Sequence, residues 1–406
     1  MEVMYPRCAG LDVHKKLIVA CVRLIEHGRV VRQKERFGTT TGESMRLAEW
    51  LRAHTITHAA MESTGVYWKP VWHVLKDDFQ LILANAQHVK AVPGRKSDMN
   101  DAEWLAELLA HGLIRGSFVP PAATQELREL TRTRKQMSRA LAQQALRLQR
   151  LLEDANLKLS SVVSDNLGKA SRAILEAIIA GETAPEHLGQ LKGQLKATSQ
   201  ELEAALRGRV TDNHRFMLRL HLDQVDSIQR AIDAIDGKLE QRLEPFREHV
   251  DRLTDIPGVS SVIASVIIAE VGLDMTRFPT QHHLISWAGL CPRLDESAGK
   301  SRSRHIRKGN PWLKVDLTQA AMAARRAKQS YLRAQFNRLA ARRGVKKAVV
   351  AAAASILTSA YFILRDGVTY RDLGPDYLDR RDPGNVARRL AKRIEARVFR
   401  RVTSRS

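Results

Sequence analysis

The chain has 406 residues, enough for two or three domains, and carries 66 Lys and Arg against 44 Asp and Glu, a net charge of +22. That balance is the footprint of a protein that binds phosphate backbones, with a ribosome-associated or membrane-surface protein as the bland alternative. Three cysteines (Cys8, Cys21 and Cys291) exclude a disulfide framework and make a reducing cytosol the expected compartment; Met1-Glu2-Val3-Met4 runs into a polar segment rather than a cleavable signal.

Up to about residue 120 the chain reads as α/β. Strands are predicted at residues 7–13, 17–24 and 30–37, with Gly28 and Gly38 as punctuation. A helix over 43–53 follows, then a strand at 59–62, a helix near 68–75 and a strand at 81–84. A meander followed by strand–helix alternation fits a mixed sheet flanked by helices, closed by Pro120-Pro121.

From Glu126 the pattern changes to heptads: Leu127, Leu130, Met137, Leu141, Leu148 and Leu151, broken by Arg134 and Gln144. A second run, Val225, Ile228, Ile232, Ile235 and Leu239, keeps the same spacing, so the two pair either as an antiparallel hairpin or between chains. Arg128, Arg132, Lys135, Arg139, Arg147 and Arg150 stud the first run and form either a solvated face or a nucleic-acid contact.

A further domain begins near Arg252 at Ile256-Pro257-Gly258-Val259, between a helix ending near Leu253 and an apolar helix over 262–271. That layout is either a helix-hairpin-helix whose Gly258 turn holds a DNA phosphate or a plain helix corner, since Ser260 stands where a second glycine is usual. The uncharged run 348–364 is short of the roughly 20 residues a membrane span needs and reads as a buried helix. Trp287 and Trp312 either stack on bases or pack in a core. From Arg380 the tail is basic, with Val386, Leu390, Ile394 and Val398 recurring at i+4. The expected domains are 1–121, 122–250, 251–370 and a tail, 371–406.

Four acidic residues bring the chemistry. Asp12 follows Cys8-Ala9-Gly10-Leu11, Glu62 ends Ala59-Ala60-Met61, and Asp98 and Asp101 open a helical pattern whose Leu105 and Leu108 face the sheet. Singly, each is either a metal ligand or an ordinary residue, with Asp12 in a turn and Asp98 and Asp101 in a first turn behind Ser97 as N-cap. Together they are placed to hold two divalent metals, which phosphodiester chemistry uses.

The segments Gly10-Leu11-Asp12-Val13-His14-Lys15, Met61-Glu62-Ser63-Thr64-Gly65 and Lys96-Ser97-Asp98-Met99-Asn100-Asp101-Ala102 resemble those of the DEDD-type insertion-sequence transposases, relatives of the Piv/MooV DNA invertases. The likeness resumes at Ile256-Pro257-Gly258-Val259, Trp287-Ala288-Gly289-Leu290-Cys291-Pro292, Glu296-Ser297-Ala298-Gly299-Lys300 and Arg307-Lys308-Gly309-Asn310. The resemblance implies a ribonuclease H/RuvC-like α/β domain, a helical coiled-coil region and a mainly α C-terminal domain. It implies Mg²⁺ on Asp12, Glu62, Asp98 and Asp101, and Ser297 as the nucleophile of DNA strand exchange. Lys300, Arg302, Arg304, Arg307 and Lys308 are then phosphate contacts, with Arg132, Lys135, Arg139 and Gly258 as further nucleic-acid contacts. Implied partners are the element's DNA ends and target, a structured guide RNA encoded beside the gene, and further copies of the chain as a dimer assembling to a tetramer. A cytoplasmic, nucleoid-associated protein is expected. Hydrolysis of branched DNA by the carboxylates alone, or a non-catalytic scaffold, are the rival readings.

Overall fold

The computed structural model describes residues 2–63, 65–85, 89, 92–93, 100–114, 116–292, 295–297, 300–303, 305–381, 383–384, 387–388, 391 and 395, with backbone alone at 63, 295–297 and 300–303. The chain forms two compact units, Met1–Pro120 and Pro121–Ser406.

In the first unit, β1 (Arg7–Val13), β2 (Ile18–Glu26) and β3 (Arg29–Phe37) form an antiparallel meander. Helix α1 (Thr41–Ala53) leads to β4 (His58–Ser63), α2 (Trp68–Leu75) to β5 (Gln80–Ala84), and α3 (Asp101–Ala110) to the short β6 (Gly116–Ser117). The sheet order is β3-β2-β1-β4-β5-β6, with β1, β4 and β5 parallel and β6 antiparallel to β5. Strand alternation sorts the faces. Ala9, Leu11, Val13, Ala59 and Met61 join the buried residues of α1 and α2 in one core. Cys8 and Ala60, on the other face, pack with Leu109 and Ala110 of α3. The edge strand β3 is exposed and rich in Arg and Lys, which discourages pairing with another sheet.

The second unit is helical. Its long helices α4 (Ala122–Asp154) and α9 (Asp212–Leu243) flank four short ones, α5 (Leu159–Val162), α6 (Lys169–Ile179), α7 (Pro185–Gln190) and α8 (Ser199–Ala205). Then come α10 (Arg247–Thr254), α11 (Ser261–Val271), α12 (Gln281–Trp287), the strand pair β7 (Asp295–Ser297) and β8 (Lys300–Ser303), α13 (Pro311–Ala324), α14 (Tyr331–Arg343), α15 (Val345–Asp366) and α16 (Tyr377–Arg380). Helices α4 and α9 pack antiparallel within the chain: Gln144 donates to Gln224 at 2.6 Å and Arg134 pairs with Asp236. The two polar breaks in the heptads thus meet polar partners across the seam. One core lies around the far ends of these helices, through Leu148, Leu152, Ile174, Leu202 and Leu222. A second joins Leu127 and Leu239 to α10 through α15. Helix α15 is long and apolar enough to cross a membrane, yet Ala352, Ala353, Ile356, Leu357, Ala360 and Tyr361 are fully enclosed in that core, and the Tyr361 hydroxyl donates to the Phe278 carbonyl at 2.9 Å. The tail stripe of Val386, Leu390, Ile394 and Val398 lies outside the described residues.

Candidate active site

Asp12 and Glu62 are register partners on the parallel strands β1 and β4. Both share the parity of Cys8 and Ala60, so they belong to the face covered by α3. That helix approaches β1 closely at Gly10. A Cβ built there would lie 2.0 Å from the Ala102 carbonyl oxygen and 2.6 Å from the Ala106 nitrogen, so only glycine fits. The contact holds the first turns of α3 against β1, and Asp101 is the first residue of that helix. Asn100 caps the helix, accepting from the Glu103 amide at 2.8 Å. The cap expected at Ser97 and the carboxylate expected at Asp98 lie outside the described residues, and the helix begins at Asp101 behind its own cap, Asn100.

Asp12 is mostly buried, and its Oδ2 lies 3.0 Å from His14 Nε2. Glu103 in the first turn of α3 and Glu107 one turn on are engaged by β2 and β3. Arg23 Nε and Arg32 Nη2 reach Glu107 Oε2 at 2.9 and 2.7 Å, and Lys34 reaches Glu103 at 2.5 Å. Burial pushes the thiols of Cys8 and Cys21 up to about 12 and about 11, so they stay protonated core residues. Asp12 and Glu62 supply hard oxygen donors side by side, the chemistry Mg²⁺ selects. Among the described residues no three His, Cys, Asp or Glu lie close enough to hold a metal, so the structure brings Asp12 and Glu62 together but does not gather Asp101 into one cluster with them.

Ser297 lies in the other unit, on β7, in register with Lys300 on β8. The segment is an antiparallel strand pair, with Lys300 and Arg302 on β8 and Arg304 outside the described residues. Its base is tied down by backbone. Pro292 bridges Ile306, the Arg307 amide donates to the Cys291 carbonyl at 3.3 Å, and Lys314 Nζ donates to the Arg307 carbonyl at 3.1 Å. Gly289 and Gly309 lie so close that a Cβ on Gly309 would meet the Gly289 nitrogen at 2.4 Å. Arg307 and Lys308 are exposed beside this base.

The cations of α4 are placed differently from a solvated basic face. Arg132 makes a bidentate pair with Glu270 at 2.7 and 2.8 Å, Lys135 pairs with Asp316, and Arg139 lies over the Trp312 ring at 5.7 Å. The Gly258 turn has φ +89°, and a Cβ there would meet the Ala320 carbonyl at 2.2 Å, so close packing on α13 requires this glycine. Ser260, in the place of a second glycine, caps α11. Trp287 packs against Phe278 with ring centroids 5.7 Å apart. Sequence reading passed over Glu270, although it is the one charge in the apolar stretch of α11, which was the available signal.

Two family profiles match this chain. The DEDD transposase profile of IS110, described as "Transposase", covers residues 9–156. The profile "Transposase IS116/IS110/IS902 family" covers residues 250–337. A "Probable family 20 transposase" of Pseudomonas aeruginosa is 28% identical over 272 residues, 65% of this chain and 70% of that protein. An "Insertion element IS110 uncharacterized 43.6 kDa protein" of Streptomyces coelicolor is 34% identical over 158 residues, 38% of this chain and 37% of that protein. A mixed α/β unit with paired carboxylates, followed by a helical unit, here belongs to a transposase. The chain is a member of the IS110 family of DEDD transposases.

Proposed function

We propose that this transposase excises and inserts its element by strand exchange through a phosphoserine intermediate, on a RuvC-like domain. The observation that carries the reading is the in-register pair Asp12 and Glu62, on the face closed by the helix that starts with Asp101. The sheet order, a three-strand meander joined through β1 to parallel β4 and β5, supports the ribonuclease H-like assignment. Asp12, Glu62, Asp98 and Asp101 would hold Mg²⁺, which supplies charge neutralisation at the scissile phosphate.

Ser297 loses its hydroxyl proton as its oxygen bonds to phosphorus, and the phosphorus–O3′ bond breaks, leaving a protonated 3′-hydroxyl. The 3′-hydroxyl of a partner strand then attacks the phosphoserine and releases the serine, so bond energy is kept and no nucleotide is consumed. Arg307 and Lys308, with Lys300, Arg302 and Arg304, contact phosphates. A guide RNA encoded beside the gene selects both DNAs, and dimers assemble to tetramers on the two duplexes.

The test mixes full-length protein, RNA transcribed from the gene's flanks, Mg²⁺ and labelled DNA carrying the element junction, followed by denaturing electrophoresis. A label retained on wild-type protein and lost in Ser297→Ala and Asp12→Ala is the expected result. Free cleaved DNA without an adduct, unchanged in Ser297→Ala, would mean a hydrolytic RuvC-type endonuclease instead.

A further inference from the structure

We infer that Glu270 is a positioning residue for the strand pair that carries Ser297, acting through Asn310; the inference rests on the phosphoserine reading above. The Glu270 side chain is fully enclosed, yet it sits in the apolar helix α11. A buried carboxylate is costly unless its charge and lone pairs are met. Here Arg132 meets both oxygens, and Asn310 Nδ2 donates to Oε2 at 2.6 Å. Arg128 adds bonds to the Ala269 and Glu270 carbonyls at 2.7 and 2.6 Å, fixing the same turn of α11 to α4.

Asn310 uses both ends of its amide. While Nδ2 holds Glu270, Oδ1 accepts from the Trp312 and Leu313 amides at 3.0 and 3.2 Å and so caps α13. It follows directly on Gly309, the glycine whose backbone docks against Ala288 and Gly289. The Pro292–Ile306 bridge and the strands β7 and β8 rise from that docking point. Asn310 is thus one rigid post of the hairpin base, and Glu270 fixes the post to two helices. A plain helix cap needs only Oδ1. The buried carboxylate on Nδ2 is an additional constraint, whose natural use is to hold a reactive segment at a fixed angle.

A reciprocal swap tests this. Asn310→Asp keeps the cap and sets two carboxylates against each other; Glu270→Gln puts an amide N–H where Arg132 or Asn310 already donates. The double variant Glu270→Gln/Asn310→Asp keeps the net charge and restores one hydrogen bond, donated now by the residue at 270. In the adduct assay at saturating junction DNA, each single variant should form the phosphoserine link more slowly, on the order of tenfold or more, with DNA Kd unchanged. The double variant should recover most of that rate. Single variants that react at the wild-type rate would overturn the inference. So would a swap as slow as its parents, the result expected if the singles merely damage the fold. Absence of an adduct in wild type overturns the phosphoserine reading itself, and this inference with it.

Discussion

Gly10 shows how much of the site depends on one missing methyl group. The α3 backbone occupies the space a Cβ would fill, and the obstructing atoms are main-chain, so no rotamer change relieves the clash. Gly10→Ala should therefore destabilise the first unit by about 1–3 kcal/mol, and should move α3, with Asp101, away from β1. Gly42→Ala is the matched control, because nothing lies within 4 Å of a Cβ added there and the position is helical. Thermal melts and Mg²⁺-dependent strand cleavage should both separate the two variants. Equal behaviour would mean that the close approach of α3 does not set the site. Glycine beside Asp12 was visible in the sequence; that it faces a helix rather than a turn was not, because the partner lies about ninety residues away.

Among elements, α3 is held to the sheet by charge as well as by its apolar face. Burial alone would raise the Glu107 carboxyl, but hydrogen bonds from Arg23 and Arg32 outweigh it and hold the group down to about 2. A carboxylate with a depressed folded pKa contributes stability that is full above its unfolded value of about 4.3 and is lost as pH falls toward 2. Glu107→Gln should cost about 2 kcal/mol at neutral pH, and its deficit should shrink as acid unfolding is followed down to pH 2. A deficit independent of pH would assign the loss to packing instead.

Elements with strong periodicity were legible. The strand expected at 7–13 and the helix at 68–75 coincide with β1 and α2, because alternation and amphipathicity are local signals. The strands β7 and β8 were not, since Asp-Glu-Ser and Lys-Ser-Arg-Ser have no apolar alternation and rest on a base where Gly289 and Gly309 meet from either side of the pair. Arg134 and Gln144 looked like faults in a heptad run; they are the seam's polar pairs, and their partners could be known only once α4 and α9 were aligned.

At the scale of the whole molecule, a net charge of +22 overstates what is available to nucleic acid. Arg23, Arg32 and Lys34 hold α3, and Arg132 and Lys135 face carboxylates that are themselves buried or nearly so. Arg307 and Lys308, by contrast, are exposed at the base of the Ser297 strand pair. The two groups should separate in a salt titration. Each phosphate contact contributes about 0.9 to the slope of log K against log salt for duplex DNA. Lys308→Ala should lower that slope by about one, and weaken binding evenly across sequences, while leaving the melting temperature in place. Lys135→Ala should do the reverse. It strands Asp316, whose side chain is 10% exposed, and should cost about 3 kcal/mol of stability with the salt slope unchanged. Fluorescence anisotropy across a salt series, paired with melts of both variants, reads the two effects independently. If Lys135→Ala flattened the slope as much as Lys308→Ala, the α4 cations would be reaching phosphate after all, and their ion pairs would have to open when nucleic acid binds.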